Sequence, residues 1–321
     1  MEVPEFPSSE LEKGQVSMPE LGKMFKTKTE EKTGFLKKIL YTGIPVVAIA
    51  LAELLIFRGS LKEASIIYTL LLLSLSLSIA VVKNNEVRRI YQALLLLPIF
   101  RLVNLSMPVF FDTNLYSFAL IYAPLAIPAT IAIIHQKDKY EKKGKNFLKV
   151  LIYLPFSIIA GLILAEAEYQ LIGAKAIIPD LSAVNLLGLI IVMFFIVGLV
   201  EELIFRAILQ TRMEEFLGSA GGILIASLLF GIMHSGYGTP YEMVYTFFVG
   251  ILVGYIFHKT QSLPFVIMIH GSINVFLFGI IPYLGPGFGF MCTAPSATSS
   301  KEEAPHFFTF PEIHIQSHCN T

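Results

Sequence analysis

The sequence predicts an all-α protein whose helices cross a membrane several times. Of its 321 residues, 55% are hydrophobic and only 15% are charged, and the mean hydropathy is +0.68. Several apolar runs reach the roughly 18–20 residues that a helix needs to cross a bilayer. They are far too long for the roughly 10-residue strands of a membrane barrel, which leaves helices as the spanning structure. This composition excludes a soluble globular enzyme, a nucleic-acid-binding protein and a disordered protein.

The apolar runs predict a polytopic helical bundle with about eight or nine transmembrane helices. The runs lie at 39–57, 65–82, 90–111, 114–134, 147–165, 184–203, 219–235, 241–258 and 262–282. The third run is interrupted by Arg101, Asn104 and Pro108, so a broken or interfacial helix is the alternative for that segment.

Polar stretches divide the chain into three regions. Residues 1–35 form a polar N-terminal tail, 36–282 the transmembrane bundle, and 283–321 a polar C-terminal tail that we expect to be disordered or foreign to the natural protein. Lysines and arginines are concentrated in the predicted loops at 83–89 and 135–146. Because positively charged loops stay on the cytoplasmic side, the N-terminus is predicted to be cytoplasmic.

Three clusters of polar residues stand within apolar runs of the C-terminal half. They are Glu201-Glu202-Leu203-Ile204-Phe205-Arg206, Phe230 to His234, and His270 to Asn274. A charged side chain near the middle of a bilayer costs about 2.5–3.5 kcal/mol on insertion scales, so such residues need a partner or a function. The earlier spans offer no comparable set. We therefore predict a catalytic core at 184–282.

Helical geometry separates the two glutamates of the first cluster. Residues four apart share a helix face, so Glu202 and Arg206 are predicted to form an ion pair. Glu201 is turned by about 100° around the helix and has no counter-ion on its own helix. The alternative is that the whole segment lies solvated at the end of its span.

The two histidines and the asparagine are weak signals individually. A single His in a helix is more often a packing residue than a catalyst, and Gly236 soon after His234 allows an interfacial position. His270 and Asn274 are one turn apart on one face, where such side chains also serve to join helices by hydrogen bonds.

Taken together, Glu201, His234, His270 and Asn274 lie on three separate spans and predict a polar pocket suited to hydrolysis. A carboxylate in a low-dielectric pocket is a competent general base near neutral pH, and a neighbouring His can share the proton of a water molecule. His and Asn side chains can donate hydrogen bonds to the oxygen that becomes negative in a tetrahedral intermediate. No Ser, Cys or Asp stands in an equally convincing nucleophile arrangement, so water is the predicted nucleophile.

These residues resemble the three motifs of the CPBP family, the CAAX protease and bacteriocin-processing group that includes the Rce1-type CAAX endoproteases. Glu-Glu-x-x-x-Arg, Phe-x-x-x-His and His-x-x-x-Asn occur complete and in this order within about 184–282. The resemblance implies intramembrane proteolysis, in which Rce1-type members remove the three residues after a prenylated cysteine. It implies that Glu201 and His234 activate water and that His270 and Asn274 form the oxyanion hole.

The same resemblance gives supporting roles to Glu202, Arg206 and Phe230, the first two being structural or orienting. A Glu with two His also looks like a catalytic zinc set. The chain has no HExxH segment, and Asn is a poor zinc ligand. We therefore expect neither a metal nor another cofactor, and zinc is the alternative.

The sequence thus predicts a membrane endopeptidase of the glutamate type. Its partners would be membrane lipid and a prenylated or other peptide substrate, without nucleic acid, while the oligomeric state stays open. A second possibility is a membrane immunity or scaffold protein, whose function would survive the change Glu201→Gln. A third is a proton-coupled transporter, because intramembrane Glu and His also build proton relays. Transporters usually show two related halves, whereas the polar groups identified in this chain lie in one half.

Overall fold

The computed structural model describes residues 39–110, 114–136 and 147–284, and these stretches contain helices and no strand. The predicted all-α class is confirmed. The first half contains α1 (Ile39–Phe57), α2 (Leu61–Val81), α3 (Asn85–Phe110), α4 (Leu115–Gln136) and α5 (Phe147–Ile172). The second half contains α6 (Ala183–Val192), α7 (Leu199–Glu202), α8 (Thr211–Ile232), α9 (Pro240–Thr260), α10 (Leu263–Val275) and α11 (Ile281–Leu284).

The described residues from Pro45 onward form one compact unit. The predicted N-terminal tail, residues 137–146 of the lysine-rich loop, and residues 285–321 lie outside the part of the chain that the structure describes.

Seven helical stretches among the described residues are long and apolar enough to cross a membrane, which supports an integral, multi-pass membrane protein. Six of them have 19–22 residues, and the seventh, Ala183–Tyr237, has 55. A straight helix of that length would measure about 80 Å, far more than the bilayer core of about 30 Å. Helix α3, with Arg88, Arg89 and Arg101, is not among the seven. The predicted count of eight or nine spans is therefore not confirmed.

A sharp turn at Gly218 folds the long stretch back on itself. The φ angle of Gly218 is 78°, in the left-handed region that residues other than glycine rarely adopt. Just after the turn, a Cβ atom at Gly222 would overlap the backbone of Glu214, so the two arms touch. The first arm stays helical up to the turn, well beyond the end of the apolar run at residue 203. Glu201 consequently lies well inside a long helical arm.

Helix α10 lies at the centre of the packing. In the stretch Leu263–Leu284, 78% of the most apolar 18-residue segment is buried inside the protein. The corresponding share is 22–39% in the other candidate spans. Helix α10 packs against α5 and against the π-helical segment Met193–Gly198. The outer helices expose large apolar side chains, as lipid-facing helices do. Examples are Leu70, Leu73 and Leu77 on α2, Ile127 and Ile131 on α4, and Phe248 and Leu252 on α9.

Helix α5 is longer than its apolar run. The run predicts a helix end at residue 165, with Glu166 and Glu168 in the loop that follows, but α5 continues to Ile172. Glu168 is 7% exposed and faces the interior of the bundle. The prediction fails because apolarity marks where a helix meets lipid, whereas a buried helix end can carry polar residues.

Gly161 allows α5 to approach α10 closely. A Cβ atom at this position would overlap the Cβ of Ser272 and would lie 3.1 Å from the backbone nitrogen of Ile273. Small residues at such crossings let membrane helices pack backbone to backbone. The position of α10 in the bundle thus depends on the missing side chain of Gly161.

We expect Gly161→Ala to lower the stability of the protein by about 1–3 kcal/mol, the usual cost of overpacking. Gly188→Ala is the matched control, because a Cβ atom there meets the Leu115 side chain at an ordinary 3.5 Å. The chain contains no tryptophan, so circular dichroism in detergent should follow the unfolding. Equal melting midpoints of the two variants would contradict the proposed close contact.

Candidate active site

One cavity brings together the four residues that the sequence singles out as catalytic. Glu201 comes from α7, His234 from the turn after α8, and His270 and Asn274 from α10, and all four line a cavity of about 130 Å³. Glu201 is 7% exposed. The alternative of a solvated segment at the end of a span is therefore wrong.

π-Helical turns surround the glutamates, which the sequence places on a regular α-helix. Helix α7 contains only four residues and lies between the π-helical segments Met193–Gly198 and Leu203–Gln210. A third such segment, Phe276–Ile280, follows Asn274. π-Helical turns are rare and occur frequently at functional sites, because the extra residue per turn changes the direction of the side chains.

Glu202 connects an arginine to a histidine. One carboxylate oxygen, Oε2, lies 3.3 Å from Arg206 Nε, so the predicted ion pair is present. The other oxygen, Oε1, lies 2.7 Å from Nδ1 of His270. A carboxylate accepts hydrogen bonds, so this nitrogen of His270 carries the proton. Glu202 thereby sets the orientation of the His270 ring.

Phe230 packs among the polar groups of the site. Its ring centroid lies 4.8 Å from that of His234 and 5.9 Å from that of His270. The Arg206 guanidinium lies over the same ring, 4.7 Å from its centroid, at a distance that suits a cation–π interaction. The supporting role predicted for Phe230 thus has a geometric basis, because the ring fixes the spacing of both histidines.

Glu201 is held by a residue that the sequence did not reveal. The hydroxyl of Tyr122, on α4, donates a hydrogen bond of 2.6 Å to Glu201 Oε1. The second oxygen, Oε2, lies 3.6 Å from Nε2 of His270. A tyrosine is ordinary in a membrane helix, so the sequence carried no signal for Tyr122. Its hydrogen bond fixes one oxygen of Glu201 and leaves the other directed towards His270.

The backbone of α8 fixes the tautomer of His234. Its Nδ1 lies 2.8 Å from the carbonyl oxygen of Phe230. A carbonyl only accepts, so Nδ1 is the protonated nitrogen, and Nε2 of the neutral ring keeps a lone pair. The ring also stacks on Tyr237, with 5.9 Å between centroids and 11° between planes. His234 is therefore arranged as a proton acceptor at Nε2.

A buried ion pair in the first half of the chain supports the turn that carries His234. Glu53 on α1 and Arg101 on α3 form two hydrogen bonds, Nε–Oε1 at 2.7 Å and Nη2–Oε2 at 2.6 Å. Arg101 also donates to the carbonyl of Met233, and Ser235 donates to Glu53 Oε2 at 2.5 Å. The hydroxyl of Tyr68 contacts the same carboxylate. The residues on both sides of His234 are thus bonded to α1 and α3.

This network corrects the expectation that the earlier spans offer no polar set. Glu53 and Arg101 are 1% and 3% exposed. The energetic cost of placing a charged side chain inside a membrane, which singles out Glu201, applies equally to both of them. A transporter is disfavoured by the sequence because the polar groups are expected in one half of the chain only. That expectation is also wrong.

Among the described residues, no three His, Cys, Asp or Glu side chains converge as a metal site requires. The zinc alternative needs three protein ligands at about 2.0–2.3 Å from one point. Glu202 Oε1 accepts from His270 Nδ1 at 2.7 Å, which leaves Nε2 as the ring nitrogen of His270 that is available to a ligand. The expectation that the site works without a metal stays a prediction.

Comparison with known protein families identifies a match in the second half of the chain. Residues 183–276 match the Rce1-like family, described as type II CAAX prenyl endopeptidase Rce1-like. The comparison with curated proteins and the one with solved structures gave no match. The resemblance predicted from the three motifs is confirmed over these residues. It supports a CAAX-type membrane endopeptidase, and Tyr122, Glu53 and Arg101 lie outside the matched segment.

We expect Arg101→Met to destabilise the protein by about 3–5 kcal/mol, because it leaves the Glu53 carboxylate buried without its cation. Adding Glu53→Gln to the same protein should restore part of the loss, since the uncompensated charge disappears. Melting midpoints of the single and double variants by circular dichroism provide the comparison. A double variant that melts at or below the temperature of Arg101→Met alone would count against the ion pair.

Proposed function

We propose that this protein is an intramembrane endopeptidase in which Glu201 and His234 activate a water molecule to attack a peptide carbonyl. The observation that carries the proposal is the shared cavity, which holds a carboxylate, a histidine whose Nδ1 faces the Phe230 carbonyl, and a His–Asn pair. The match over residues 183–276 supports the reaction class.

The nucleophilic water is assigned to the space between Glu201 and His234. Tyr122 donates to Glu201 Oε1, so Oε2 is the oxygen that accepts a hydrogen bond from the water and then takes up its proton. The second O–H group of the water donates a hydrogen bond to His234 Nε2. As the C–O bond forms, the abstracted proton is held on Glu201 and then passes to the leaving nitrogen. A positioned general base of this kind contributes about 100-fold to 10,000-fold to the rate.

His270 and Asn274 are assigned to the developing oxyanion. Because His270 Nδ1 is already protonated towards Glu202, the ring must also be protonated at Nε2 to donate to the oxyanion. The imidazolium then has Glu202 on one side and Glu201 on the other, which balances its charge. The amide of Asn274, one turn later on α10, supplies the second donor.

A prenylated CaaX peptide is the proposed substrate, with release of its C-terminal tripeptide. The description of the matched family supports this class. The wall of the cavity supports it as well, because apolar side chains from several helices form a surface for aliphatic or prenyl groups. These are Phe100, Phe118, Ile121, Met193, Val197, Phe205 and Phe278.

The decisive experiment is cleavage of a fluorogenic farnesylated CaaX peptide by the purified full-length protein in detergent. We expect Glu201→Gln to lower kcat/KM by at least about 100-fold, since the amide cannot accept the proton. Glu63→Gln, an exposed glutamate in the first turn of α2, is the matched control and should keep wild-type activity. A metal chelator should have no effect.

Three results would contradict parts of this proposal. Chelator-sensitive cleavage would overturn the metal-free mechanism, and an active Glu201→Gln variant would overturn the role of Glu201. A wild-type protein that cleaves neither farnesylated nor unprenylated peptides would overturn the proteolytic function, in favour of the scaffold or transporter alternatives.

We expect Tyr122→Phe to lower kcat by about 10-fold to 100-fold, because hydrogen bonds to charged groups contribute about 1.5–3 kcal/mol. The KM should change little, since the lost bond orients the base and does not hold the substrate. Tyr116→Phe on the same helix removes a hydroxyl that is largely exposed and serves as the control. Equal kcat values for the two variants would show that the hydrogen bond to Glu201 is dispensable.

A further inference from the structure

A second pair of acidic residues lies beside the catalytic cavity. Glu168 on α5 and Glu242 in the first turn of α9 are 7% and 0% exposed, and their carboxyl groups are close enough to interact directly. Glu168 lines the main cavity together with Glu201 and His234. It also lines a smaller cavity of about 30 Å³, which extends towards Arg206. None of the three motifs contains Glu168 or Glu242.

The pair has no cationic partner in the part of the chain that the structure describes. Within this part, no group other than the Glu168 carboxyl is positioned to share a proton with either carboxyl oxygen of Glu242. Two neighbouring hydroxyls are engaged elsewhere, because Tyr245 donates to the Leu164 carbonyl and Thr246 to the backbone carbonyl of Glu242. Other buried carboxylates of the site are compensated: Glu53 by Arg101, Glu202 by Arg206.

Charge balance indicates what such a pair can bind. Two carboxyls in contact cannot both be ionised at low cost, so they share one proton and keep one negative charge. An uncompensated charge in a low-dielectric interior costs several kcal/mol. Glu168 borders the cavity, so a cation in the cavity can reach it, whereas Glu242 is buried behind it.

The proposed hydrolysis itself produces a cation in this cavity. Water adds to the carbonyl carbon, the C–N bond breaks, and the nitrogen takes up a proton from the general base. At neutral pH the products are a carboxylate on one fragment and an ammonium group on the other, with no net release of protons. The ammonium is formed next to Glu201 and His234, in the same cavity that Glu168 lines.

We propose that Glu168 and Glu242 form a binding site for the primary ammonium group of the peptide fragment that cleavage releases. This inference rests on the proposed function. The ammonium donates hydrogen bonds to the Glu168 carboxylate, and Glu242 holds the shared proton behind it. The site compensates the positive charge that hydrolysis creates in the cavity. A released fragment with a free amine therefore binds more tightly than the same fragment with a blocked amine.

The test measures binding and does not require activity. An aliphatic tripeptide with a free α-amine and its N-acetylated form are titrated into the full-length protein in detergent by calorimetry. We expect the free amine to bind at least about tenfold more tightly to the wild type, a ratio that corresponds to 1.4 kcal/mol. This preference should vanish in the double variant Glu168→Gln, Glu242→Gln. Glu166→Gln, whose carboxylate accepts from Gln170 and lines neither cavity, is the matched control.

Each outcome decides one question. Equal binding of the two tripeptides to the wild type, or a preference that persists in the double variant, overturns the ammonium site. An acetylated tripeptide with a lysine side chain that binds as tightly as the free amine assigns the site to a substrate side chain and overturns its assignment to the released fragment. If circular dichroism shows that the double variant is unfolded, Glu168→Gln alone decides, because Glu168 is the member that lines the cavity.

The two proposals fail separately in these experiments. A protein that cleaves peptides but binds both tripeptides equally retains the protease function and loses the ammonium site. A protein that cleaves no peptide but shows the amine preference retains an ammonium-binding site and loses both the protease function and the assignment of that site to a cleavage product.

Discussion

The ion pair between Glu53 and Arg101 connects the two halves of the molecule. Its members come from α1 and α3, and its remaining hydrogen bonds reach Met233 and Ser235, on either side of His234. In a membrane interior, such a pair stays together because either charge alone would cost several kcal/mol. The same interaction that joins the first helices to the second half therefore fixes the turn in which His234 lies.

The requirement that buried charges be compensated also organises the centre of the site. Glu202 uses one oxygen for Arg206 and the other for His270, so one carboxylate sets the position of a cation and the tautomer of a histidine. Glu201 receives its hydrogen bond from Tyr122 on a different helix and keeps one oxygen directed towards His270. Two adjacent glutamates thus acquire different surroundings, although they are consecutive in the sequence. The Glu168–Glu242 pair has no such cation among the described residues, and for this reason we propose that it binds the ammonium group of a ligand.

Packing at glycine positions brings these groups into contact. Gly161 allows α5 to reach α10, and Gly218 reverses the chain, so that the arm carrying Glu201 and the arm ending at His234 lie side by side. α10 is buried along most of its length and carries His270 and Asn274 into the space between them. The active-site cavity is therefore formed at the contact of helices that are themselves largely apolar. This explains how a protein with 15% charged residues can concentrate polar chemistry at one place.

The sequence by itself determined the helical membrane class, the three motifs and the Glu202–Arg206 pair, because these depend on hydrophobicity and on spacing along one helix. It did not reveal Tyr122, the Glu53–Arg101 network or the inward position of Glu168. Tyr122 meets Glu201 over 79 positions of chain, and Arg101 meets Glu53 over 48, so no local pattern connects them. Only the tertiary structure decided these contacts, since helix packing sets the distances between residues remote in sequence. The sequence could name the residues able to act in hydrolysis, whereas their tautomers, hydrogen bonds and charge partners followed from which helices pack together.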